Sequence, residues 1–542
     1  MKRGLYYQKK EYSDQNLYSY EEIKDKLPLP ILTGRGDWLN VYKYALKILF
    51  QNQHIPTSHS GFVSNFVDAA FNENIFLWDT AFMTLFCNLL HPYIPGIRSL
   101  DNFYAKQYDD GEIPREMVRE TGEDFLPWVN TMKKPLYSYF HNHYGHRRLK
   151  GHEAIEYEAM YKPDLGRPTK HSPYLTLDNL NHPILAFAEW ESYLQTGDYL
   201  RLHKIIEPLY MYYKAFKEYL QHQNSLYITD WASMDNSPRN AYLGFAIDTS
   251  SEMVLFGRRL ILIIDEIIKY GLHIDLELSL IREEVTVDVE QLSKRINEKM
   301  WDDVNGFYYD LNPDEEYTGI KTVAGFWPLI SEVADKEKSE KLVEWLNDKR
   351  TFNRKHRVPS LAADEEGYDP EGGYWRGSVW APTNTMVVLG LEKSGHHKLA
   401  KDIALNHLDA ITKVFMDTGT IWENYPADSF TSGNSDKKDF VGWSGIGPIY
   451  FLLRYGVGLH ADSSGEYLIW NLYKEDLEKG EVGCENYWFQ GVTSTLKAWY
   501  KDGKIHITVR TTGTLKLKVR YSDRINEYLV ESELSATMCE IE

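Results

Sequence analysis

The sequence predicts a mainly helical protein, built as a ring of six helical hairpins, with a small β-sandwich domain at its C-terminal end. Two observations predict this fold class. From about residue 38 to residue 458, apolar residues recur at spacings of three and four, and Gly, Pro and Asn interrupt the pattern. After about residue 460 the pattern changes to short segments in which apolar and polar residues alternate, as they do in β-strands.

The predicted helices fall into pairs. Many pairs have a short connection after one helix and a long, aromatic-rich connection after the other. A helical stretch of this length without a short internal repeat is less typical of an open solenoid, which favours a closed ring. The predicted helices span residues 39–52, 79–91, 94–109, 182–196, 198–222, 249–270, 282–300, 322–333, 336–349, 381–395, 397–416 and 444–455.

The C-terminal segment has the pattern of strands. Residues 504–510 and 515–521 alternate strictly, and Asp502-Gly503 is a dipeptide typical of hairpin turns. Three further strands are predicted over residues 467–473, 487–490 and 496–500. We therefore predict an N-terminal extension over 1–37, a helical domain over 38–458 and a β-sandwich domain over 459–542.

Composition and charge exclude several classes of partner. The formal net charge of −19 disfavours nucleic acid and anionic membranes, because both require a basic surface. No stretch of about 18 apolar residues suggests a transmembrane helix. The N-terminus lacks the apolar core of a signal peptide, so we expect a cytoplasmic protein, or a periplasmic one if a signal has been removed. The sequence does not specify an oligomeric state.

The three cysteines point to neither a disulfide framework nor a zinc site. Cys87, Cys484 and Cys539 are few, odd in number and widely spaced. Cys87 lies in an apolar run and is expected to be a buried thiol. No metal and no cofactor are predicted.

Two acidic residues stand out because aromatic residues flank them in turn-forming segments. Asp235 lies in residues 231–239 (WASMDNSPR), and Glu423 lies in residues 421–426 (IWENYP). Hydrolysis of a glycosidic bond uses such a pair, since one carboxylic acid protonates the leaving oxygen while the other activates water or attacks the sugar. Aromatic rings supply apolar area for the C–H faces of a sugar. The alternatives are that Asp235 caps a helix and that Glu423 is a surface acid.

Four more segments combine acids, aromatic residues and glycines where helices begin or end. They are residues 76–82 (FLWDTAF), 110–115 (DGEIPR), 373–384 (GYWRGSVWAPTN) and 441–447 (VGWSGIG). Each aromatic residue alone could be part of the core, and Asp79 could be a helix N-cap. In a ring of helix pairs these loops could gather at one end. The candidate substrate-binding residues are Trp78, Asp79, Arg115, Trp231, Asn236, Arg239, Tyr374, Trp375, Arg376, Trp380, Asn384, Trp422 and Trp443.

Together these segments resemble glycoside hydrolase family 63 and its mannosylglycerate hydrolase-like and trehalase-like relatives. The resemblance covers about residues 70–460, and its motifs follow the order Trp-Asp-x-x-Phe, Gly-x-Ile-Pro-Arg, Asn-x-Pro-Ile-Leu-Ala, Met-Asp-Asn-Ser-Pro-Arg, Tyr-Trp-Arg-Gly-x-x-Trp and Trp-Glu-Asn-Tyr. The fourth and fifth motifs are specific in combination. The C-terminal β segment also resembles one found in bacterial members.

The resemblance implies an (α/α)6 barrel and inverting hydrolysis of an α-linked sugar, with an α-glucoside as the expected substrate. By position in the motifs, Asp235 would be the general acid and Glu423 the general base. Trp78, Asp79, Trp375 and Arg376 would line the subsite for the non-reducing sugar. The sequence departs from the family in the long insert described below and in residues 424–430 (NYPADSF), which lack a downstream Gly-Glu pair. Both departures bear on which substrate is bound and do not affect the expected chemistry.

Two other functions are alternatives to a glycosidase. Other helical-ring enzymes that act on carbohydrates, such as an unsaturated uronyl hydrolase, a lyase or a sugar epimerase, use the same fold with different residues. An epimerase would require histidines at the cavity centre in place of Asp235 and Glu423. A sugar-binding protein without activity is disfavoured because both acids are present.

The long polar and aromatic insert over residues 110–181 interrupts the helical pattern. Long loops of this kind are often functional, and its aromatic content argues against disorder. We expect a lid or wall over the active-site mouth that favours exo-action on short oligosaccharides or small glycosides; the alternatives are a surface loop and an oligomer contact. Residues 141–146 (HNHYGH) could bind a transition metal, contact sugar hydroxyls or lie on the surface. No second cluster at metal-ligand spacing supports a metal.

Overall fold

The computed structural model describes most of the chain as helices followed by two β-sheets. The described residues are 4–14, 16–109, 111–123, 182–227, 234, 236–239, 244–312, 314–433, 437–521 and 524–539. No helix in these ranges is long and apolar enough to span a lipid bilayer.

The described α-helices vary from single turns to segments of more than five turns. They are α1 (Tyr20–Ile23), α2 (Gly36–Gln51), α3 (Leu77–Cys87), α4 (Leu100–Ala105), α5 (Leu185–Thr196), α6 (Tyr199–Leu220), α7 (Ile247–Lys269), α8 (Leu278–Lys299), α9 (Trp327–Ile330), α10 (Lys336–Asn347), α11 (Ala381–Lys393), α12 (His397–Thr418) and α13 (Lys474–Leu477). A short 3₁₀-helix, Trp443–Ile446, continues directly into a π-helix, Gly447–Val457.

Six helical segments form a closed ring by packing each against the next. In order, α3 contacts α5, α5 contacts α7, α7 contacts α9, and α9 contacts α11; α11 then contacts the 3₁₀-helix at Trp443–Ile446, which contacts α3. Helices α2, α6, α8 and α12 pack against members of this ring or against the π-helix that follows it. These contacts close a cycle of six helical segments, and the four helices just named pack against its members or against the π-helix.

Burial separates the inner helices from the outer ones. Ten of the eleven residues of α3, all but Trp78, are buried, as are all residues of α11 from Ala381 to Leu391. A helix that is apolar on all sides must be surrounded by protein. Helix α8 instead buries only Leu278, Ile281, Val285, Val289, Leu292 and Ile296. This spacing of three and four residues is that of an outer helix with one apolar face.

The described strands form two larger sheets, mainly in the C-terminal region, and four short pairs elsewhere in the chain. The strands are β1 (Leu29–Leu32), β2 (Gln53–His54), β3 (Phe66–Val67), β4 (Asn74–Phe76), β5 (Glu116–Val118), β6 (Trp301–Asp302), β7 (Phe307–Tyr308), β8 (Ser378–Val379), β9 (Tyr425–Pro426), β10 (Leu459–Ala461), β11 (Leu468–Leu472), β12 (Val482–Phe489), β13 (Val492–Lys501), β14 (Lys504–Thr511), β15 (Leu515–Tyr521), β16 (Arg524–Val530) and β17 (Glu533–Cys539). One sheet has the order β1-β12-β13-β14-β17 and the other β10-β11-β15-β16. Strand β1 comes from the N-terminal segment and pairs Leu29 with Glu485.

Three predicted helices are shorter or of a different type in the structure. The segment predicted over 94–109 is a 3₁₀ turn followed by α4, which ends at Ala105 before a turn closed from the Tyr108 N–H to the Glu112 carbonyl at 2.8 Å. The segment predicted over 322–333 begins as a 3₁₀-helix and becomes α9 where Pro328 occupies the first turn. Proline suits that position because it lacks an N–H donor. The last predicted helix, over 444–455, is mainly the π-helix.

Candidate active site

Most of the sequence motifs lie where inner helices begin, and short strand pairs hold them together. Strands β4 and β5 join the Trp-Asp motif to the Ile-Pro-Arg motif, and the N–H of Leu77 donates to the Arg115 carbonyl at 2.8 Å. Strands β8 and β9 join the Tyr-Trp-Arg motif to the Trp-Glu-Asn-Tyr motif. Segments distant in sequence therefore meet at one end of the ring.

Glu423 is held at this end by bonds to its main chain. Its side chain is buried, with 1% of the residue exposed. The Trp443 Nε1–H donates to the Glu423 carbonyl at 2.9 Å, and the Glu423 N–H donates to the Lys437 carbonyl at 2.9 Å. The Tyr374 hydroxyl approaches Glu423 Oε1 at 3.5 Å. Glu423 is therefore a buried carboxylate among aromatic side chains. Its burial contradicts the alternative of a surface acid, and its catalytic role stays a prediction.

Asp79 is a second buried acid, in the first turn of α3. Burial, followed by the negative charge of Glu423, raises the pKa of Asp79 well above its usual range, while the Arg115 guanidinium opposes the shift. Burial is the first cause of the shift, so the folded protein favours the protonated form of Asp79.

We expect Asp79→Asn to stabilise the protein increasingly as pH rises above the ordinary carboxyl pKa of about 4. At a pH below the ordinary carboxyl pKa of about 4, Asp79 is protonated in both folded and unfolded chains, so the variant should melt like the wild type. Above that pH, Asp79 is ionised in the unfolded wild-type chain but stays protonated in the folded chain, because burial raises its pKa. The wild type therefore loses stability as pH rises, until the pH exceeds the folded-state pKa of Asp79. Thermal melts across this range measure the difference.

The matched control for this experiment is Asp37→Asn, since Asp37 lies in the first turn of α2 with 43% of its side chain exposed. An exposed pair such as Asp37 with Arg35 contributes little, so its removal should give no comparable gain. A melting temperature of Asp79→Asn that falls relative to wild type as pH rises would contradict the placement of Asp79.

A wall of aromatic rings stands beside Glu423. The Trp375 and Trp380 rings stack with centroids 4.0 Å apart and planes 6° from parallel. Tyr374 and Trp443 meet Trp380 edge-on, at 4.9 and 5.7 Å. Trp380 is fully buried, so it supports the wall from behind, whereas Tyr374 is half-buried. Stacked and edge-on rings fix each other's orientation, which gives the site a rigid apolar face.

Asn236 connects the motif that contains Asp235 to this wall. Its Nδ2 donates to the Gly373 carbonyl at 3.0 Å, and its Oδ1 accepts from the Trp375 N–H at 2.9 Å. Gly373 has a φ of 53°, and a Cβ there would lie 2.7 Å from Asp369 Cβ, so glycine is required for this turn. Asp235 itself and Trp231 lie outside the described residues.

His182 belongs to the same end of the ring, although the sequence analysis did not select it. Its ring lies 4.4 Å from the Trp78 ring, and its Nδ1 is 2.6 Å from Glu252 Oε2. Burial opposes a charge on the imidazole, but the Glu252 carboxylate outweighs it and raises the pKa of His182. Its position in the Asn-x-Pro-Ile-Leu-Ala motif is the sequence feature that could have indicated it as a site residue.

The side chains of two predicted substrate-binding residues bind other groups of the protein. The Arg239 guanidinium is buried and binds Asp248 and Asp310, each at 2.7 Å. Asn384 is buried within α11, where Nδ2 donates to the Arg357 carbonyl at 3.3 Å and lies 3.3 Å from His407 Nδ1. The structure therefore gives Arg239 a structural role instead of the predicted substrate contact. Asn384 is held within the protein through Nδ2, while its Oδ1 is buried without a hydrogen-bond partner among the described residues.

The remaining candidates lie at the edge of the site. Arg376 is exposed, and its Nε donates to the Gly367 carbonyl at 3.0 Å. Trp422 is half-buried, and its Nε1 donates to Thr418 Oγ1 at 3.1 Å. Trp78 is also half-buried, at the start of α3. These three side chains have surface left for contact with a ligand.

The described residues contain no group of three or more His, Cys, Asp or Glu side chains that could hold a metal ion. Residues 141–146, with the three histidines weighed as metal ligands, fall outside the described ranges, as do residues 124–181 of the predicted lid. Cys87 and Cys484 are both buried free thiols, as predicted for Cys87.

Comparison with known proteins agrees with the motifs. Residues 278–443 match a family described as the mannosylglycerate hydrolase MGH1-like glycoside hydrolase domain. An uncharacterized protein of Borreliella burgdorferi is 27% identical over 309 residues, which cover 54% of this chain and 63% of that protein. The cytosolic neutral trehalase of Kluyveromyces lactis is 29% identical over 140 residues, or 25% of this chain and 19% of the trehalase. The chain thus spans less than two thirds of these relatives.

Solved structures share the fold. The mannosylglycerate hydrolase of Thermus thermophilus, in complex with Tris and D-glycerate, aligns with a TM-score of 0.55 at 16% identity and covers 76% of this chain and 99% of its own. The alpha-L-rhamnosidase of Dictyoglumus thermophilum aligns with a TM-score of 0.56 at 10% identity, over 95% of this chain and 50% of its own. The resemblance predicted from the motifs is confirmed: the chain is similar to glycoside hydrolase family 63-like glycosidases, and residues 278–443 match their MGH1-like domain.

Proposed function

We propose that this protein is an inverting, exo-acting glycoside hydrolase that removes an α-linked sugar, an α-glucoside in the first instance, from a short oligosaccharide or small glycoside. One observation carries the proposal. Glu423 is a buried carboxylate beside a rigid aromatic wall, and Asn236, the residue after Asp235 in the sequence, is bonded to that wall. Acids combined with aromatic faces suit the hydrolysis of a sugar.

The closed contacts among the inner helices support an (α/α)6 barrel as the scaffold, with the two C-terminal sheets forming a β-sandwich. The domain limits of 38–458 and 459–542 belong to this proposal, with β1 as a strand that the N-terminal segment adds to the sandwich. In such a barrel the loops at the starts of the inner helices surround one opening. The substrate would enter there.

The proposed reaction is a single displacement at the anomeric carbon. Asp235 gives its proton to the glycosidic oxygen as the bond from that oxygen to the anomeric carbon breaks. Glu423 takes a proton from a water molecule, whose oxygen bonds to the anomeric carbon from the opposite face. Inverting enzymes leave room for this water by holding their two carboxyl groups about 6.5–9.5 Å apart.

The raised pKa of Asp79 gives it a distinct part in this mechanism. A protonated Asp79 can donate a hydrogen bond to a sugar hydroxyl without placing a second charge next to Glu423. Glu423 acts as the base in this proposal. Trp78, Trp375, Arg376 and Tyr374 would complete the subsite, with Arg115, Trp422 and Trp443 around it and Trp380 supporting Trp375.

The direct test is a screen of α-linked disaccharides and glycosylglycerates with the purified protein, read as release of free sugar. For the best substrate, proton NMR of the first product should show the β-anomer, because a single displacement inverts the anomeric carbon. Initial release of the α-anomer would rule out the proposed mechanism. An unsaturated sugar product would indicate a lyase in place of a hydrolase.

We also propose that residues 110–181 restrict the substrate to chain ends. In a comparison of maltose-sized substrates with a long α-glucan, the protein should release sugar only from ends, so the viscosity of the polymer should barely change. A rapid fall in viscosity would show internal cleavage and contradict the exo-action.

A further inference from the structure

A large cavity lies at the other end of the inner helices from the acids. It has a volume of about 840 Å³ and is lined by the ends of α3, α9, α11 and the π-helix, by α5 and α7, and by strands β10, β11 and β15. We call it the basal cavity. Asp79 lies in the first turn of α3, whereas Asn88, just beyond its last turn, lines the basal cavity, about 14 Å further along the helix axis at 1.5 Å per residue.

Some cations of the basal cavity already have carboxylate partners. Arg454 Nη2 lies 2.6 Å from Glu392 Oε2, and Lys401 Nζ lies 2.7 Å from Asp476 Oδ2. These pairs balance their own charges. They leave Arg259, Lys393 and Arg520 as lining cations for which the described residues provide no carboxylate within hydrogen-bond distance. The carboxylate of Glu191 also lines the cavity and attracts Arg259 and Lys393 from a greater distance.

Arg259 is the strongest indication of a ligand. Only 3% of the residue is exposed, and its Nε has no hydrogen-bond partner among the described residues. The nearest carboxylate is that of Glu332, 4.0 Å from Nη1. Burial of the guanidinium outweighs the attraction of Glu191 and Glu332, so the pKa of Arg259 is lowered. A buried guanidinium with so little compensation is costly unless an anion meets it.

Neutral polar groups line the same space. His460 Nδ1 and Asn471 Oδ1 are buried atoms without a hydrogen-bond partner among the described residues, and the buried Tyr450 hydroxyl lies close to the Arg454 guanidinium. Burial lowers the pKa of His460 to about 3, so its imidazole is neutral and can accept or donate a hydrogen bond. A hydroxyl, a neutral imidazole and an amide are groups that bind sugar-type hydroxyls.

We propose that the basal cavity binds a small organic anion that carries hydroxyl groups, such as a sugar phosphate. Arg259 and Arg520 would bind the anionic group, because the planar guanidinium matches phosphate and carboxylate oxygens. Tyr450, His460 and Asn471 would bind the hydroxyls. The inference does not depend on glycosidase activity, since none of its residues lies among the proposed catalytic groups.

Isothermal titration of the full chain tests the proposal with three probes: glucose 6-phosphate, inorganic phosphate and glucose. Glucose 6-phosphate should bind with a Kd below about 1 mM, and at least tenfold more tightly than the other two. Failure of glucose 6-phosphate to bind at about 10 mM would overturn the proposal. So would equal affinity for inorganic phosphate, which has no hydroxyl-bearing carbon frame.

Arg259→Met and Arg258→Met form a matched pair for locating the binding site. Arg258 is adjacent on α7 but does not line the cavity; its Nη2 donates to the Glu332 carbonyl at 3.3 Å. Arg259→Met should weaken glucose 6-phosphate binding about tenfold or more, as expected for loss of a charged hydrogen bond, while Arg258→Met should change it less than about twofold. If Arg259→Met does not fold, Arg520→Gln on β15 replaces it. Unchanged affinity in the folded cavity variant would refute the site.

Discussion

Glu423→Gln should lower kcat by about 10²–10⁴-fold on the substrate that the screen identifies, with little change in melting temperature. The amide keeps the size and hydrogen bonds of the side chain but cannot take a proton from water. Steady-state kinetics and thermal melts of the same preparation measure both effects.

The matched control is Glu371→Gln, an exposed acid three positions before the first residue of the Tyr-Trp-Arg motif. It should retain wild-type kcat. Azide offers a further check, since a small anion can attack the anomeric carbon without a base and should partly restore turnover of Glu423→Gln. Near-normal kcat in Glu423→Gln would remove this residue from the proposed role of base.

Asp235→Asn should lower kcat by a similar factor, but with a different dependence on the substrate. A substrate with an acidic aryl leaving group needs little protonation, so the loss should be small for aryl glycosides and large for alkyl glycosides. Glu423→Gln should show no such difference, because both substrates need the same attack by water. Equal losses on both substrate types in Asp235→Asn would contradict its role as the acid.

Arg239→Met should destabilise the fold by about 3–5 kcal/mol, the largest stability effect expected in this protein. The variant leaves Asp248 and Asp310 buried without the cation that each binds at 2.7 Å. In the wild type, burial raises the pKa of Asp310 even with Arg239 present, whereas Arg239 outweighs burial and lowers the pKa of Asp248. Denaturant unfolding near neutral pH, followed by circular dichroism, measures the loss.

The loss should shrink as pH falls through the acidic range, because both carboxyl groups can then be protonated in the folded variant. Arg282→Met is the control. Arg282 lies 2.6 Å from Asp265, but the two side chains are 44% and 43% exposed, so its replacement should cost less than about 1 kcal/mol. Equal losses in the two variants would mean that the Arg239 cluster is not the buried structural element described above.

The sequence by itself determined the helices and the identity of the motifs. Helix formation depends on residues three and four apart, so the pattern over α8 or α12 could be recognised without knowledge of the neighbours. The acid-and-aromatic character of the segments around Asp79 and Glu423 is likewise local. So is the change to alternating residues in β14 and β15.

Only the tertiary structure decided which partner each polar side chain has. Arg239 and Asn384 lie in motifs that suggested a ligand, yet the carboxylates and the carbonyl that bind them come from residues 9 to 71 positions away. His182 is next to Trp78 only because α5 packs against α3. Strand β1 joins a sheet whose adjacent strand, β12, lies at the far end of the chain. Such pairings depend on how helices and strands pack, and no local spacing encodes them.

The pKa of Asp79 and the composition of the basal cavity also depend on the tertiary structure. The pKa of Asp79 is raised because folding buries it and brings the charge of Glu423 close, and the two acids are 344 positions apart in the chain. The basal cavity likewise combines side chains from seven or more elements, none of which carries a recognisable ligand motif. The sequence determined which chemical groups were available, and packing determined which of them are buried together, because burial and charge–charge distance are properties of the folded chain.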